Sequence, residues 1–363
     1  MDDLNARFAQ ALALQQAQRF GEALALYRGI AERLVTTNLA CNISACLMML
    51  GDLDEALAWF ATAQAAQPAE PAVLEASLQL GAALLAAGRY AEGWPLMEAR
   101  TVLHPDAVPP MTAAIPEWQG EPLAGRSILV WVEQGLGDQI MFVRFAADLA
   151  AQGARVGVAC RPALADLFAA MPAIAGVAPV RVGEVVDVER HDVFSRYLSL
   201  PFRLGITLET LSGASYLRAP PGRLARWGGY SGVGVMWRTS ATGGNAAAKT
   251  LPEDQARRLL DLGAVSLQPE DTGAADFADT AAIISSLDLV ISVDTSVAHL
   301  AGALGTPCWT LLPATRTDWR WLKGRSDSPW YASMRLFRQR RPGDWASVID
   351  EVLAARPFAR GPA

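Results

Sequence analysis

Three segments within the first hundred residues share one pattern of glutamate, small residue and large residue. They are residues 19–27, 52–60 and 89–97, and their glutamates lie 33 and 37 residues apart. Each segment is predicted to begin a helix after a short turn, and each follows another stretch of helical spacing. This period constrains the fold most, because one helical hairpin cannot bury its apolar face alone and must stack on another.

The residues after each glutamate fit such stacking. A small residue lets two helices approach closely, and a large residue four positions further on fills the gap beside it; these residues are Ala23, Ala56 and Gly93, then Tyr27, Phe60 and Met97. The pattern resembles the tetratricopeptide repeat, a helix-turn-helix of about 34 residues. Pro68 stands where that repeat ends its second helix. The resemblance implies a solenoid over residues 1–103 that binds a protein partner on its concave side; the alternative is a bundle that only packs on the rest of the chain.

Composition restricts the class of protein. The chain has 363 residues, 52% of them hydrophobic and 19% charged, and no apolar run is long enough for a membrane span. The first ten residues are acidic and polar, unlike a secretory signal, and the four cysteines are scattered, so we expect a cytoplasmic protein with reduced thiols. A net charge of −6 argues against binding nucleic acid through a broad basic face.

Residues 104–125 are rich in proline and predict an extended connector between domains. A first α/β half follows over residues 126–222. It opens with a buried strand at 127–132, a glycine turn at 133–138, a helix at 140–151 and a second strand at 155–160. Strand, turn, helix and strand form a βαβ unit of a parallel sheet.

A second α/β half is predicted over residues 223–341, followed by a C-terminal helix and tail at 342–363. Its strands are predicted at 232–237, 264–268, 288–293 and 308–312, and its helices at 251–262, 280–287 and 296–304. Pro252 is placed in the first turn of one helix, and Gly305 caps the end of another. The predicted fold class is therefore α/β, with helical repeats followed by two Rossmann-like, doubly wound halves and a cleft between these halves.

The glycine turn of the first half contains Gln134, Gly135, Gly137 and Asp138. A dinucleotide-binding turn would need a third glycine, which is missing, so binding of NAD or FAD is not expected. Asp138 is predicted at the amino end of a helix that faces the cleft. It is either an ordinary helix cap or an ionised carboxylate able to accept a proton.

The corresponding turn of the second half joins a strand to a helix through Asp294, Thr295 and Ser296. Hydroxyl and backbone N–H groups at a helix start suit a phosphate. His299 lies one turn further along, on the same face as Thr295, although a lone histidine can equally be structural. Asp294 would repel phosphate, so it is predicted either to accept hydroxyl hydrogens from a sugar or to cap the helix.

The two turns together resemble heptosyltransferase-type glycosyltransferases of the GT-B fold. The likeness lies in residues 135–138 and 293–307 and extends to the tryptophan-rich stretches at 318–321 and 328–331. It is greatest to bacterial proteins that fuse tetratricopeptide repeats to such a domain, some of which modify flagellin. The resemblance implies roles for seven residues: Asp138 as catalytic base, Thr295, Ser296 and His299 at the donor phosphates, Asp294 near the donor sugar, Lys249 against the leaving phosphate, and Gln268 near the nucleoside.

The implied reaction is displacement at the anomeric carbon of a nucleotide sugar, with a protein acceptor held by the repeats and flagellin as a candidate acceptor. No cofactor is expected, and no metal, since the only histidines are His104, His191 and His299. The stretch between Gln268 and Asp279 is shorter than the family pattern. Two alternatives stay open: a repeat scaffold with a degenerate GT-B domain, and a transferase that acts on lipopolysaccharide sugars.

Overall fold

The computed structural model describes residues 2–104, 111, 114–181, 183–185, 190–239 and 245–355. Contacts within the chain divide it into two units. The first comprises Met1–Asp106 with Gly205–Leu208, and the second comprises Ala107–Leu204 with Glu209–Ala363. No helix in the described ranges is both long enough and apolar enough to cross a bilayer.

The first unit is helical. Its helices are α1 (Asp2–Gln16), α2 (Phe20–Ala31), α3 (Thr37–Leu50), α4 (Leu53–Ala66), α5 (Pro71–Ala86), α6 (Tyr90–Met97) and α7 (Arg100–Leu103). The first six pack as three successive pairs, and the second member of each pair begins within one of the three similar segments of the sequence. The predicted helical N-terminal region is therefore confirmed.

Close helix contacts explain the small residues of the repeat. Ala23 and Ala56 are fully buried, and the hydroxyl of Ser44 donates to the carbonyl of Ala56 at 2.8 Å. A Cβ on Gly93 would lie 2.8 Å from Cδ2 of Leu85, inside van der Waals contact. The helices of each pair thus pack closely at the positions where the repeat has a small side chain.

The first sheet of the second unit has four parallel strands in the order β3-β2-β1-β4. The strands are β1 (Ser127–Trp131), β2 (Arg155–Cys160), β3 (Gly176–Pro179) and β4 (Val193–Arg196). The accompanying helices are α8 (Leu136–Phe142), α9 (Phe145–Ala151), α10 (Ala165–Ala169) and α11 (Leu200–Arg203). Before β1, Glu117 forms a bridge to Phe194, and the buried Trp118 donates its backbone N–H to Phe194 O at 2.7 Å. The described end of the proline-rich connector thus packs on β4; residues 105–110 and 112–113 of the connector lie outside the described residues.

The single helix predicted over residues 140–151 is wrong, since two helices, α8 and α9, occupy this stretch. The hydroxyl of Tyr216 donates to Ile140 O at 2.7 Å, and Nε of Arg144 donates to Met141 O at 2.9 Å. These carbonyls are the ones that the backbone N–H groups of residues 144 and 145 would use in a continuous helix. Side-chain donors, one local and one from a distant part of the chain, therefore occupy the acceptors, and the helix is interrupted.

The second sheet has six strands in the order β6-β5-β7-β8-β10-β9. They are parallel except for the antiparallel pair β9–β10. The strands are β5 (Val233–Met236), β6 (Val265–Ser266), β7 (Leu289–Val293), β8 (Cys308–Leu312), β9 (Asp327–Ser328) and β10 (Tyr331–Arg338). The helices are α12 (Pro221–Trp227), α13 (Ala246–Lys249), α14 (Glu253–Leu260), α15 (Pro269–Thr272), α16 (Phe277–Ser285), α17 (Ser296–Leu304) and α18 (Trp345–Ala354).

The predicted fold class, helical repeats followed by parallel α/β sheets, is confirmed. Helix α17 and strand β8 have the predicted bounds, and Gly305 ends α17 with φ 80°. Several details differ. Pro252 is the N-cap of α14 instead of a residue in its first turn; β6 keeps only two of the five predicted residues; and α16 begins earlier than predicted, because Asp276 caps it by accepting from Asp279 N at 2.9 Å. The end of the predicted tail, residues 356–363, lies outside the described residues.

Candidate active site

The turn between β1 and α8 is fixed from both sides. Glu133 is buried and accepts from Leu198 N at 2.6 Å, and the buried side chain of Gln139 accepts from Arg161 N at 2.9 Å. Gln134 is exposed and has φ 61°, a left-handed conformation unusual outside glycine. Gly135 N donates to Oδ2 of Asp138 at 2.9 Å. Asp138 therefore caps the helix from its first turn, and its second carboxylate oxygen is available to other groups.

The turn between β7 and α17 is capped by Thr295. Its hydroxyl accepts from Val297 N at 3.2 Å and lies 3.2 Å from the hydroxyl of Ser292. The prediction that Asp294 could cap this helix is wrong in this respect, because its side chain turns to Lys249. Ser296, the first residue of the helix, is half-buried.

These two helix starts meet. A Cβ on Gly137 would lie 2.9 Å from Cδ2 of His299 and 3.5 Å from Cα of Ser296. Only a residue without a side chain allows this approach. The structure thus brings together Gly137, Asp138, Ser296 and His299, from two turns that are distant in sequence but adjacent in the fold.

Lys249 and Asp294 form an ion pair, with Nζ 2.6 Å from Oδ2. The Asp294 side chain is only 7% exposed and that of Lys249 is 21% exposed. Burial raises the pKa of Asp294, and the nearby Lys249 opposes that rise. The lysine predicted to meet a phosphate is thus already paired with a carboxylate of the same site.

Arg320 lies at the centre of the site and had no predicted role. It belongs to a short 3₁₀ helix at Trp319–Trp321, which follows β8, and its side chain is 10% exposed. Nη1 donates to both carboxylate oxygens of Asp318, at 2.8 and 2.9 Å, and Nη2 donates to Oδ1 of Asp138. Burial opposes the charge of the guanidinium, but Asp138 and Asp318 raise its pKa above the usual value. Arg320 is therefore a fixed cation that joins the turn between β1 and α8 to Asp318, in the segment after β8.

His299 is buried and neutral at physiological pH. Its Nδ1 lies 2.9 Å from the hydroxyl of Tyr331, and its ring stacks on Trp321 with centroids 5.1 Å apart. Burial, reinforced by Arg320, lowers the pKa of His299 to about 3. The imidazole can therefore take part in hydrogen bonds at this site, but it does not supply a positive charge.

Beneath His299 lies a second buried cation, Arg144. Its Nη1 donates to the carbonyls of Ser212 and Trp330, each at 2.9 Å. Three rings surround the guanidinium, with centroids 4.4 to 5.2 Å from Cζ; they belong to Tyr216, Trp330 and Tyr331. This cage supports Tyr331, which in turn holds His299.

Gln268 is not brought to the other predicted residues by any described contact. Its side chain is buried, and the amide oxygen accepts from the backbone N–H groups of Arg238 and Trp237, at 3.0 and 3.3 Å. These bonds fix the chain directly after β5. Its predicted contact with a nucleoside stays a prediction, as do the catalytic and binding roles of the other residues. Among the described residues, no group of three histidine, cysteine or acidic side chains is placed to hold a metal ion.

Comparison with known proteins finds likeness over the part of the chain that contains the second sheet. Residues 232–336 match the model of the family described as Glycosyltransferase family 9 (heptosyltransferase). These residues are thus similar to that family. The matched segment holds β5 to β9 and most of β10, and with them Lys249, Asp294, Ser296, His299 and Arg320. The predicted enzyme class, a glycosyltransferase, is supported by this match.

The chain also resembles individual proteins along most of its length. It is 28% identical over 360 residues to protein FlbA of Caulobacter vibrioides, a match that covers 85% of this chain and 60% of FlbA. The chain therefore spans about three fifths of that relative. Among solved structures, it is similar to a glycosyl transferase family 9 protein of Veillonella parvula, with 13% identity, a TM-score of 0.46, and coverage of 65% of this chain and 91% of that one. For ADP-heptose LPS heptosyltransferase II of E. coli, the identity is 14%, the TM-score 0.44, and the coverage 63% and 98%.

Proposed function

We propose that the protein transfers a sugar from a nucleotide-sugar donor to a hydroxyl group of an acceptor, with Asp138 as the base. The observation that carries the proposal is the contact between the first turns of α8 and α17, where Gly137 lies against His299 and Ser296. This contact sets a carboxylate beside the start of a helix in a glycosyltransferase family 9 domain. The juxtaposition suits a reaction in which one group accepts a proton while a phosphate leaves.

The proposed reaction is a single displacement. Asp138 takes the proton of the acceptor hydroxyl, and the hydroxyl oxygen attacks the anomeric carbon. The bond from that carbon to the phosphate oxygen breaks, and its electron pair leaves with the nucleotide. The start of α17, with Thr295 and Ser296, stabilises the charge that develops on the phosphate, since the amino end of a helix favours anions. His299 contributes a hydrogen bond to the donor.

For the acceptor we propose a protein held by the N-terminal helices, with flagellin as a candidate through the family likeness. The first unit contains a cavity of about 380 Å³ between the start of α3, the end of α4 and the turn before α5. Polar side chains line it at the start of α3 and after α4, including Thr36, Asn38 and Glu70. A cavity of this size and chemistry supports binding of a peptide segment.

A panel of nucleotide sugars tests the transfer reaction. Calorimetry on the full chain identifies the donor, and release of the nucleotide in the presence of flagellin or of lipopolysaccharide core sugars identifies the acceptor. We expect Asp138→Asn to lower the rate of transfer by about 10²-fold or more, as for a general base, and to leave donor binding in place. Asp148→Asn, an exposed acid on α9, is the matched control. Transfer at the wild-type rate in the Asp138 variant would remove the assigned base.

The docking role has its own test. Ala66→Arg places a long side chain in the cavity of the first unit, whereas Ala65→Arg adds the same charge at the neighbouring exposed position, which does not line the cavity. We expect only the first variant to lose protein modification while hydrolysis of the donor continues. If both variants modify flagellin normally, or if only lipopolysaccharide sugars are accepted, the first unit does not dock the acceptor at this cavity.

A second candidate is a protein-binding scaffold with an inactive α/β domain. It is favoured by the ion pairs at the site, since Asp138 is bonded to Arg320 and Lys249 to Asp294. The scaffold candidate predicts that no nucleotide sugar of the panel gives a heat of binding. A single binder with release of nucleotide would exclude it.

A further inference from the structure

We propose that Arg320 is the cation that binds the donor phosphate, and that by leaving Asp138 for the phosphate it makes this carboxylate available as the base. The proposal deepens the proposed function and rests on it. The carboxylate of Asp138 and the donor phosphate compete for the same guanidinium, that of Arg320.

The charges of the site make such a competition necessary. Three carboxylates, Asp138, Asp294 and Asp318, surround two cations, Lys249 and Arg320, and each cation is paired with at least one of them. His299 adds no charge, because its pKa is about 3. A phosphate that enters this cluster adds negative charge among negative charges. It must therefore take a cation from one of the carboxylates.

Lys249 is poorly suited to that exchange. Its partner Asp294 is the most buried carboxylate of the three, at 7% side-chain exposure, and it lies 2.6 Å from Nζ. Removing the lysine would leave a buried acid without a counter-charge, which is strongly unfavourable. Lys249 is therefore expected to stay with Asp294 while a phosphate binds.

Arg320 can release one partner and keep another. Nη1 holds Asp318 through two hydrogen bonds, while Nη2 holds Asp138 through one oxygen. The Nε atom, on the same edge of the guanidinium as Nη2, is buried and has no hydrogen-bond partner among the described residues. Nε and Nη2 together form an edge with two parallel donors, and Asp138 accepts from only one of them, Nη2. Two oxygens of a phosphate match both donors, and paired charge-assisted bonds of this kind are stronger than a single one.

The exchange also changes what Asp138 can do. Both carboxylate oxygens of Asp138 now accept from protein donors, Oδ1 from Nη2 of Arg320 and Oδ2 from Gly135 N. Once Nη2 turns to a phosphate, Oδ1 of Asp138 is free to accept the proton of an acceptor hydroxyl, while Oδ2 still accepts from Gly135 N. The base becomes effective when the leaving group is bound, so donor binding and proton transfer are coupled through Arg320.

The test measures binding of inorganic pyrophosphate to the full chain by calorimetry, at low ionic strength and with a chelator present. We expect Asp138→Asn to bind pyrophosphate roughly tenfold more tightly than the wild type, and Arg320→Gln roughly tenfold more weakly, as for one charge-assisted hydrogen bond. In the double variant the gain from Asp138→Asn should vanish, because the competition needs Arg320. Asp148→Asn should leave the affinity unchanged.

Three results would overturn the proposal. The first is a gain in affinity from Asp138→Asn that persists in the Arg320→Gln background, because it would reflect net charge alone. The others are wild-type affinity for pyrophosphate in Arg320→Gln, and no binding of pyrophosphate to a wild-type chain that binds a nucleotide sugar. Should Arg320→Gln fail to fold, Asp138→Asn is compared with Asp148→Asn, which removes the same charge from α9; equal affinities of these two variants for pyrophosphate would overturn the proposal. Because none of these readouts involves sugar transfer, failure of the transferase proposal would be recognised separately, by the nucleotide-sugar panel.

Discussion

Gly137 lies so close to His299 that a Cβ atom on the glycine would come within 2.9 Å of the imidazole ring. The contact joins the start of α8 to α17 and fixes the position of Asp138 relative to the segment that is similar to glycosyltransferase family 9.

Gly137→Ala should damage the site more than the fold. The added methyl group meets His299 and Ser296, so the two helix starts must move apart, at a cost of about 1–3 kcal/mol in the free energy of unfolding. Sugar transfer should fall steeply, because displacement of Asp138 by about 1 Å is enough to lose about 10²-fold in rate. Gly222→Ala is the control: a Cβ there meets no atom within 4 Å. Equal activities of the two variants would contradict the close contact.

His299 should make the fold sensitive to mild acid. Its pKa of about 3 lies below the value of 6.5 expected in an unfolded chain, so between these values the unfolded chain binds a proton that the folded chain does not. Stability is therefore lost as the pH falls from 6.5 toward 3, by at most about 1.4 kcal/mol per pH unit. Urea unfolding at pH about 7 and about 5 should show a larger loss for the wild type than for His299→Asn. Parallel losses in the two proteins would mean that the imidazole is not held neutral.

Arg144→Met should lower the free energy of unfolding by about 3 kcal/mol or more. The change removes the hydrogen bonds that Arg144 donates to the carbonyls of Ser212 and Trp330, and it removes a cation from three aromatic rings. Arg335 is the matched control, since its guanidinium also lies over two rings, Trp309 and Phe337, but the residue is exposed. Arg335→Met should cost less than about 1 kcal/mol. Chemical denaturation compares the two, and similar losses would show that the cage adds nothing.

Gly93→Ala should destabilise the first unit, because its methyl group would lie 2.8 Å from Leu85 and 3.0 Å from the carbonyl of Gly81. Overpacking of this kind costs about 1–3 kcal/mol. Gly21→Ala, in α2 of the same unit, meets nothing within 4 Å and should be neutral or stabilising by up to about 1 kcal/mol. Thermal unfolding of the two variants should shift in opposite directions or differ clearly in size.

The elements predicted best from the sequence are those whose first and last residues are determined by the residues next to them in the chain. Strands β2 and β8 and helix α17 have the predicted bounds, because short apolar runs are closed by glycine, proline or polar residues at their own ends. Strand β10 was not predicted, since its burial alternates irregularly and its place in the sheet depends on pairing with β8, more than twenty residues earlier.

The candidate site was predicted in part for the same reason. A predicted strand followed by a predicted helix marks the turn between them as a candidate site. Two such turns, with the helix starts that follow them, contain Asp138, Thr295, Ser296 and His299, and the fold brings these turns together. Arg320 carries no such signal: its partner Asp138 is 182 residues away, and only the folded chain pairs them. The interruption between α8 and α9 likewise depends on Tyr216, whose hydroxyl reaches Ile140 from 76 residues further along the chain.

The position of β10 has a consequence for shortened forms of the protein. This strand lies between β8 and the short β9, and it pairs with β8 along five successive residues, from Met334 to Arg338. A chain cut after Trp321 would keep every proposed catalytic residue, and β8 would still pair with β7, but the other edge of β8 would be unpaired at the rim of the sheet. An open rim of this kind recruits strands from other molecules, so such a fragment is expected to aggregate before its chemistry could be measured.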